Sequence, residues 1–462
     1  MGVATHPLPP LLVLLLFTQS AGGLRTAVET GQPPSSSPQA TPTVSESLVA
    51  TPPTSVNSSK TGGNATEKPW VRPRICRLPY EPCKLADLPR NETTMVYPVG
   101  KTRCLASGMP YFAFGVTPRD EDKLLIMFEG GGACWDEFST RLRACTVFAP
   151  RPPPQVGHLD HNADGNPFAN HSLVFITACS GDLHAGNVTQ AYNDTLGVPI
   201  EQRGYYNTRA AIDWIKSNMQ TRPLSSLVIA GESAGSIGVQ VWAHRMLSEL
   251  RYSAASVIAD SYVGAFPEGF SGPVFRSLGV CQTGLFDAHA DLREKCDNGT
   301  LTIPDAFEAA IADFPAVSFG SVAAKYDTTQ IEFYKLTAIS MGTAEPLRPE
   351  RFNRMVAAII SRYRSYPNHG YFLLSSPWHV YTLQAYHDYG NLTNLAFTGG
   401  FHGRVQRRFE EWLMHLARHD HLLDNYCEMT TSRVLQEKGM GSSLLDTCDL
   451  EPAGEDLNST GI

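Results

Sequence analysis

Ser226-Leu-Val-Ile-Ala-Gly-Glu-Ser-Ala-Gly-Ser-Ile-Gly-Val-Gln240 is an apolar run that enters Gly231-Glu232-Ser233-Ala234-Gly235 and leaves through apolar residues at helical spacing. An apolar stretch of strand length, then G-x-S-x-G, then a helix is the setting of a nucleophile elbow, where the serine sits on a strained strand-to-helix turn. The five-residue pattern alone carries little weight, because glycine and serine are common. The strand before it and the helix after it carry the reading, against the alternative of an ordinary glycine-rich turn. Ser233 is therefore the candidate nucleophile, and the backbone N–H of Ala234 a candidate donor to an oxyanion.

A serine nucleophile needs a second oxyanion donor, a base and an acid that orients the base. Glu129-Gly-Gly-Gly-Ala-Cys-Trp135 directly follows the apolar run Lys123–Phe128, so Gly131 and Gly132 are the expected donors. Phosphate binding by this loop is disfavoured, since it lacks both G-x-G-x-x-G and a P-loop lysine. In the chain order Ser, acid, His, the base falls downstream of Ser233. His379 fits best, in a loop after the strand-like Tyr371-Phe-Leu-Leu374; His402 lies in a glycine-rich stretch, and His415, His419 and His421 lie in a helical one, Val405 to Leu423. Two aspartates end strand-like runs, Asp260 and Asp327, and the residues alone leave the acid open between them.

Around this centre, β-branched runs alternate with amphipathic stretches: Lys123–Phe128, Ser172–Thr177, Tyr206–Met219, Ser226–Ala230, Ile237–Leu250, Ala255–Ala259, Ala316–Ala324 and Tyr371–Leu374. Strands buried on both faces and separated by helices form parallel sheets with right-handed crossovers. The fold class expected is α/β, an α/β-hydrolase-like, doubly wound, mostly parallel sheet. No second linker interrupts the stretch, so its length is assigned to loop insertions in one domain over residues 71–450.

The 462 residues are 42% apolar and 18% charged, with a net charge of −8. That composition can bury a core and is not that of a disordered chain; the negative balance gives no footprint for nucleic acid. Leu11–Phe17, followed by Ser20-Ala21-Gly22, reads as a signal peptide over 1–22; no segment reaches the length of a transmembrane span. Residues 23–70 are a Pro/Ser/Thr-rich stalk that cannot offset ordering entropy, and 451–462 form a polar tail. Nine Asn-X-Ser/Thr sequons fit a secreted or surface-retained glycoprotein, here expected to be a monomer.

The ten cysteines suit disulfides in an oxidising compartment, with Cys134–Cys145 and Cys281–Cys296 suggested by proximity. No CxxC pair or short His spacing marks a metal site. Asp160-His-Asn-Ala-Asp-Gly165 has half of a calcium-loop pattern, but His171 stands where the bidentate glutamate belongs; an Asx turn is expected instead. No metal and no cofactor is expected.

Several ordered blocks resemble the pectin acetylesterase and Notum family of carboxylesterases. They are Phe128-Glu-Gly-Gly-Gly-Ala-Cys134, Asn166-Pro-Phe168, Val174 to Gly186, Gly204-Tyr-Tyr-Asn207, Gly231 to Gly235, Ala259-Asp-Ser261, Tyr326-Asp-Thr-Thr-Gln330 and Ser375-Ser-Pro-Trp-His379. The resemblance implies Ser233 as nucleophile, Asp327 as acid and His379 as base, leaving Asp260 a supporting role. It also implies a Cys104–Cys179 bridge, and it supports Cys134–Cys145. Trp135 and Trp378 are expected to line the substrate site or to pack within their loops, and His184 to line it or to serve as a hydrogen-bonded structural histidine. The implied activity is hydrolysis of a carboxylic ester through an acyl-enzyme, on an acetylated polysaccharide or another acylated extracellular substrate. The small Gly132-Ala133 pair leans the reading toward acetate; the alternative is removal of a fatty acyl group from a secreted signalling protein. A glycan-binding protein without turnover is a further alternative.

Overall fold

The structure, a computed structural model, describes residues 73–105, 111–147, 150–343, 347–386, 404–420, 425–429 and 448. The expected signal peptide, stalk and polar tail lie outside these, as do His402 and His421.

The strands are β1 (Arg74–Arg77), β2 (Thr94–Tyr97), β3 (Phe114–Thr117), β4 (Asp120–Phe128), β5 (His171–Ile176), β6 (Val188–Asn193), β7 (Pro199–Gln202), β8 (Ser226–Glu232), β9 (Ala255–Asp260), β10 (Ser318–Ala324), β11 (His369–Leu374) and β12 (Tyr426–Cys427). The helices are α1 (Glu137–Arg141), α2 (Gly204–Met219), α3 (Ala234–Glu249), α4 (Ser271–Ser277), α5 (Ala290–Asn298), α6 (Ile303–Asp313), α7 (Thr328–Ser340), α8 (Pro349–Arg362) and α9 (Arg404–Ala417). Ten strands form one sheet in the order β1-β2-β3-β5-β4-β8-β9-β10-β11-β12. From β5 to β12 every neighbouring pair is parallel, and β3 alone runs against the rest, paired antiparallel to both β2 and β5. The α/β, mostly parallel architecture is thus the one expected.

Period-two alternation explains the layering. Leu124, Ile126, Phe128, Leu227, Ile229, Val257, Ala259 and Phe319 join one core with residues of α2, α3 and α6. Their strand neighbours Leu125, Met127, Val228, Ala230, Ile258 and Val322 face the other side, against Phe409, Trp412, Leu413 and Leu416 of α9. At Gly320 a Cβ would stand 2.7 Å from the Trp412 ring, so glycine allows α9 to lie this close to the sheet. All seven residues of β8 are buried, which is why its sequence reads as an unbroken apolar run rather than an alternating one.

Five disulfides join Cys76–Cys83, Cys104–Cys179, Cys134–Cys145, Cys281–Cys296 and Cys427–Cys448. They include the two pairs suggested by proximity and the one implied by family resemblance. Among the described residues no helix is long and apolar enough to cross a membrane. At Asp160 the carboxylate accepts the Asn162 N–H at 2.9 Å, an Asx turn.

Candidate active site

The strand β8 delivers Ser233 to the sheet's C-terminal edge. Its backbone, at φ 56° and ψ −123°, is a conformation that side chains rarely adopt. The surroundings enforce it. The Ser233 N–H donates to the Asp260 carbonyl at 2.9 Å. A Cβ at Gly231 would strike the Gly235 carbonyl, and one at Gly235 the Phe128 carbonyl. Those two glycines let strand, turn and helix pack in this way. Ala234 opens α3, so its N–H has no intrahelical acceptor.

The glycine loop after β4 is fastened at almost every residue. Gly130 N–H donates to Glu232 Oε1 at 3.1 Å, the Gly131 carbonyl accepts Thr146 N–H at 2.7 Å, and Ala133 N–H donates to Ala144 O at 3.0 Å. The Cys134–Cys145 bridge closes the same segment. Gly132, at φ 68°, lines the cavity with Ser233 and Ala234; Gly131 lines a smaller cavity behind the loop. Loop donors held in this way need little reorganisation when an oxyanion forms.

Beneath the loop lie two buried carboxyl groups. Burial pushes Glu129 up to about 7, against the lowering effects of the Ala178 N–H and Arg151, and burial likewise drives Glu232 well above the ordinary range. Burial thus opposes a full negative charge on Glu232, the residue before Ser233.

His379 Nδ1 lies 2.7 Å from Asp327 Oδ2. Asp327 caps α7: its Oδ1 accepts the Gln330 N–H and its Oδ2 the Gln330 side-chain amide, both at 2.9 Å. Burial disfavours the imidazolium, but the adjacent Asp327 charge and hydrogen bond outweigh it, and the pKa of His379 is raised above its ordinary 6.5. His379 Nε2 is buried and has no hydrogen-bond partner among the described residues. His379 and Ser233 line one cavity.

Asp260 does something different. Its Oδ2 accepts the N–H groups of Tyr381 and Thr382 and the Thr382 hydroxyl, at 2.7–2.9 Å, while Oδ1 accepts the Ser261 hydroxyl at 2.6 Å. Ser261 Oγ in turn accepts the Val380 N–H at 2.8 Å. Asp260 therefore anchors the loop that follows His379, and Val380 is held there at φ 67°, unusual for a β-branched residue.

The cavity at Ser233 holds about 430 Å³, its mouth included, and its apolar wall is made by Leu183, Ile237, Phe266, Val274 and Phe333. Trp135 lines it, its indole N–H held by Ser340 Oγ at 3.1 Å. Trp378 and His184 stand elsewhere. Trp378 packs against the α9-side core. His184 is buried behind the glycine loop, where its Nε2 donates to the Glu129 carbonyl at 2.8 Å, and burial lowers its pKa to about 4. It braces the loop and does not line the main cavity. The rival bases are remote: His419 binds Ser226 and Ser256, the first and second residues of β8 and β9, and His415 pairs with Asp420.

Sequence reasoning missed Gln330, Glu129, Glu232 and the apolar wall. Asp327-x-x-Gln330 is an N-cap pattern that marks the start of α7 and could have favoured Asp327 as a carboxylate fixed in place. The wall comes from α3, α4, α7 and the loops after β5 and β9, which no local pattern unites.

The family model for pectinacetylesterase matches residues 99–271, which include β3 to β9, the glycine loop and the elbow; Asp327 and His379 lie beyond it. No curated protein sequence matches. Two solved structures of the Wnt deacylase Notum from Drosophila are similar. One has 18% identity and a TM-score of 0.44, covering 63% of this chain and 86% of that one. The other has 16% identity and a TM-score of 0.46, covering 72% and 96%. The chain is a carboxylic ester hydrolase of the serine type.

Proposed function

We propose that this chain is an extracellular serine carboxylesterase that releases an apolar acyl chain, longer than acetate, from an oxygen ester on a larger secreted molecule. The observation that carries the reading is the apolar cavity that begins at Ser233. An acetyl group needs no such wall. The small Gly132-Ala133 pair, read from sequence as favouring acetate, lines that same space. Five disulfides and nine sequons support an extracellular setting.

In this reading, Ser233 Oγ attacks the ester carbonyl as His379 Nε2 takes its proton, and Asp327 stabilises the imidazolium. The N–H groups of Gly132 and Ala234, with Gly131 behind them, receive the developing oxyanion. Collapse expels the alcohol, which takes the proton from His379. Water, deprotonated by the same imidazole, then cleaves the acyl-enzyme and frees the carboxylic acid. No step requires a cofactor.

The second reading, release of acetate from a polysaccharide, is favoured by the pectinacetylesterase match over residues 99–271. Hydrolysis of p-nitrophenyl esters from acetate to dodecanoate separates the two. Each methylene withdrawn from water contributes about 0.8 kcal/mol, a factor of about four in kcat/KM. The expected result is a rise with chain length to at least octanoate, absent in Ser233→Ala. A maximum at acetate would favour the polysaccharide.

A further inference from the structure

His244, His289 and Asp313 come from three separate segments: the second half of α3, the residue that precedes α5, and the last residue of α6. One ligand atom from each lies within 4.8 Å of the others. His244 Nε2 is 2.9 Å and His289 Nε2 3.0 Å from the same oxygen, Asp313 Oδ2. None of the three lines the cavity at Ser233, and His244 lies ten residues beyond Ala234 along α3, roughly 15 Å at the α-helical rise. We propose that these three side chains bind a divalent transition-metal ion, of which zinc is the best match.

The donor set argues for that class. Two imidazoles and one carboxylate suit zinc, whereas magnesium and calcium prefer oxygen alone. Zinc bonds to nitrogen and oxygen of about 2.0–2.2 Å place tetrahedral ligand atoms about 3.3–3.6 Å apart. The observed separations need only small side-chain rotations to enclose an ion. The present hydrogen bonding is poor. Although 3.0 Å from the carboxylate oxygen, His289 Nε2 is buried and makes no hydrogen bond of acceptable geometry. Two ring nitrogens aimed at one oxygen are better served by a cation among them.

The second sphere is ordered. The His244 ring packs edge-on to His289 and Phe314, with centroids 4.8 and 5.3 Å away, and Cys281–Cys296 secures α5, at whose start His289 stands. Asp313 is the exposed member, its side chain 44% accessible, which gives an ion a route from solvent and leaves room for water as a fourth ligand. Bound there, the ion would fasten α5 and α6 to α3, the helix that starts at the nucleophile. The sequence shows no short metal motif because the ligands are far apart along the chain.

The test is calorimetric titration of zinc into the chelator-treated secreted protein, with cobalt absorption as a geometric probe. The expected result is one ion per chain, a four-coordinate cobalt spectrum and a zinc-dependent rise in melting temperature. His244→Ala with His289→Ala should weaken zinc by more than about 100-fold, beyond the 10–100-fold typical of outer-sphere changes. Asp313→Asn, which keeps shape and removes charge, should weaken it as well if the double variant folds poorly. Ester turnover of each variant without zinc checks the fold. No binding, or equal affinity in both variants, overturns the site.

Discussion

Two serine–histidine clusters stand at opposite ends of the same strands. At one end of β8 is Ser233, with His379 and Asp327; at the other is Ser226, with His171 and His419. The strand's seven residues separate them by roughly 20 Å. In the far cluster the two serines tie the rings together: Ser226 Oγ is 2.9 Å from His171 Nε2 and 2.8 Å from His419 Nε2, and Ser256 Oγ is 2.7 Å from His419 Nδ1, while His171 Nδ1 is buried without a hydrogen bond among the described residues. At the near cluster a buried carboxylate holds one imidazole nitrogen and the other is left for a reactant. Ser233, Ser261, Val380, Leu183 and His184 all have positive φ around that end. Residue type does not distinguish the clusters. An orienting acid and a cavity do.

The largest effect should come from the acid. Asp327→Asn is expected to lower kcat by about 10⁴, since the amide no longer fixes the imidazole tautomer. Asp260→Asn removes loop anchoring, so its principal effect should be a stability loss of about 1–3 kcal/mol with a smaller loss of kcat. Steady-state kinetics and denaturant unfolding of both variants decide this, and an equal or larger kcat loss at Asp260 would transfer the role. Next in size is the pocket. Val274→Trp fills the apolar wall and should cut kcat/KM for octanoate at least tenfold while sparing acetate; parallel losses on both esters would remove the acyl chain from that space.

Protonation sharpens the contrast. The base must be neutral to accept a proton, and the ionisation of His379 is raised above 6.5, so kcat/KM should fall on acidification through a midpoint above 6.5. At the far end burial, with Lys123 and His419 nearby, lowers His171 to about 4. Between 6.5 and 4 the unfolded chain takes a proton there that the native state refuses, so its contribution to stability is lost as the pH falls. A pH–rate profile beside unfolding at the same pH should show activity disappearing reversibly while the chain stays folded. Activity that persists at pH 5 would remove His379 as base. The smallest effect is expected from Ser226→Ala, about 1–3 kcal/mol of stability and less than a twofold change in turnover; a turnover collapse would join the two clusters functionally.

What the sequence disclosed follows from burial. β5 and β8 to β10 are buried throughout, and β4 and β11 over most of their length, so each carries an apolar stretch that stands out. The edge strand β12 has two residues, β1 has an exposed–buried pattern and β3 a glycine, so none gives a comparable signal. The β6–β7 hairpin has alternating exposure and an Asp194–Gly197 turn, with Asp194 Oδ1 accepting the Leu196 and Val198 N–H groups, a legible pattern that a search for parallel strands passes over. Ser233 was legible because its turn chemistry is local. The choice between Asp260 and Asp327 was not, since one ends a buried strand and the other follows one by three residues, and only the paths of the following loops distinguish their partners. Trp378 faces the α9 side because the loop after β11 is pulled across the sheet edge by Asp260, a contact between distant segments.

Labelling the secreted protein with a p-nitrophenyl alkylphosphonate and mapping the modified serine by mass spectrometry tests the central claim most directly. One phosphonyl group per chain on Ser233, slowed strongly by Asp327→Asn and unaffected by Ser226→Ala, is the predicted result. Modification of another serine, or none under conditions where the ester is hydrolysed, would contradict it.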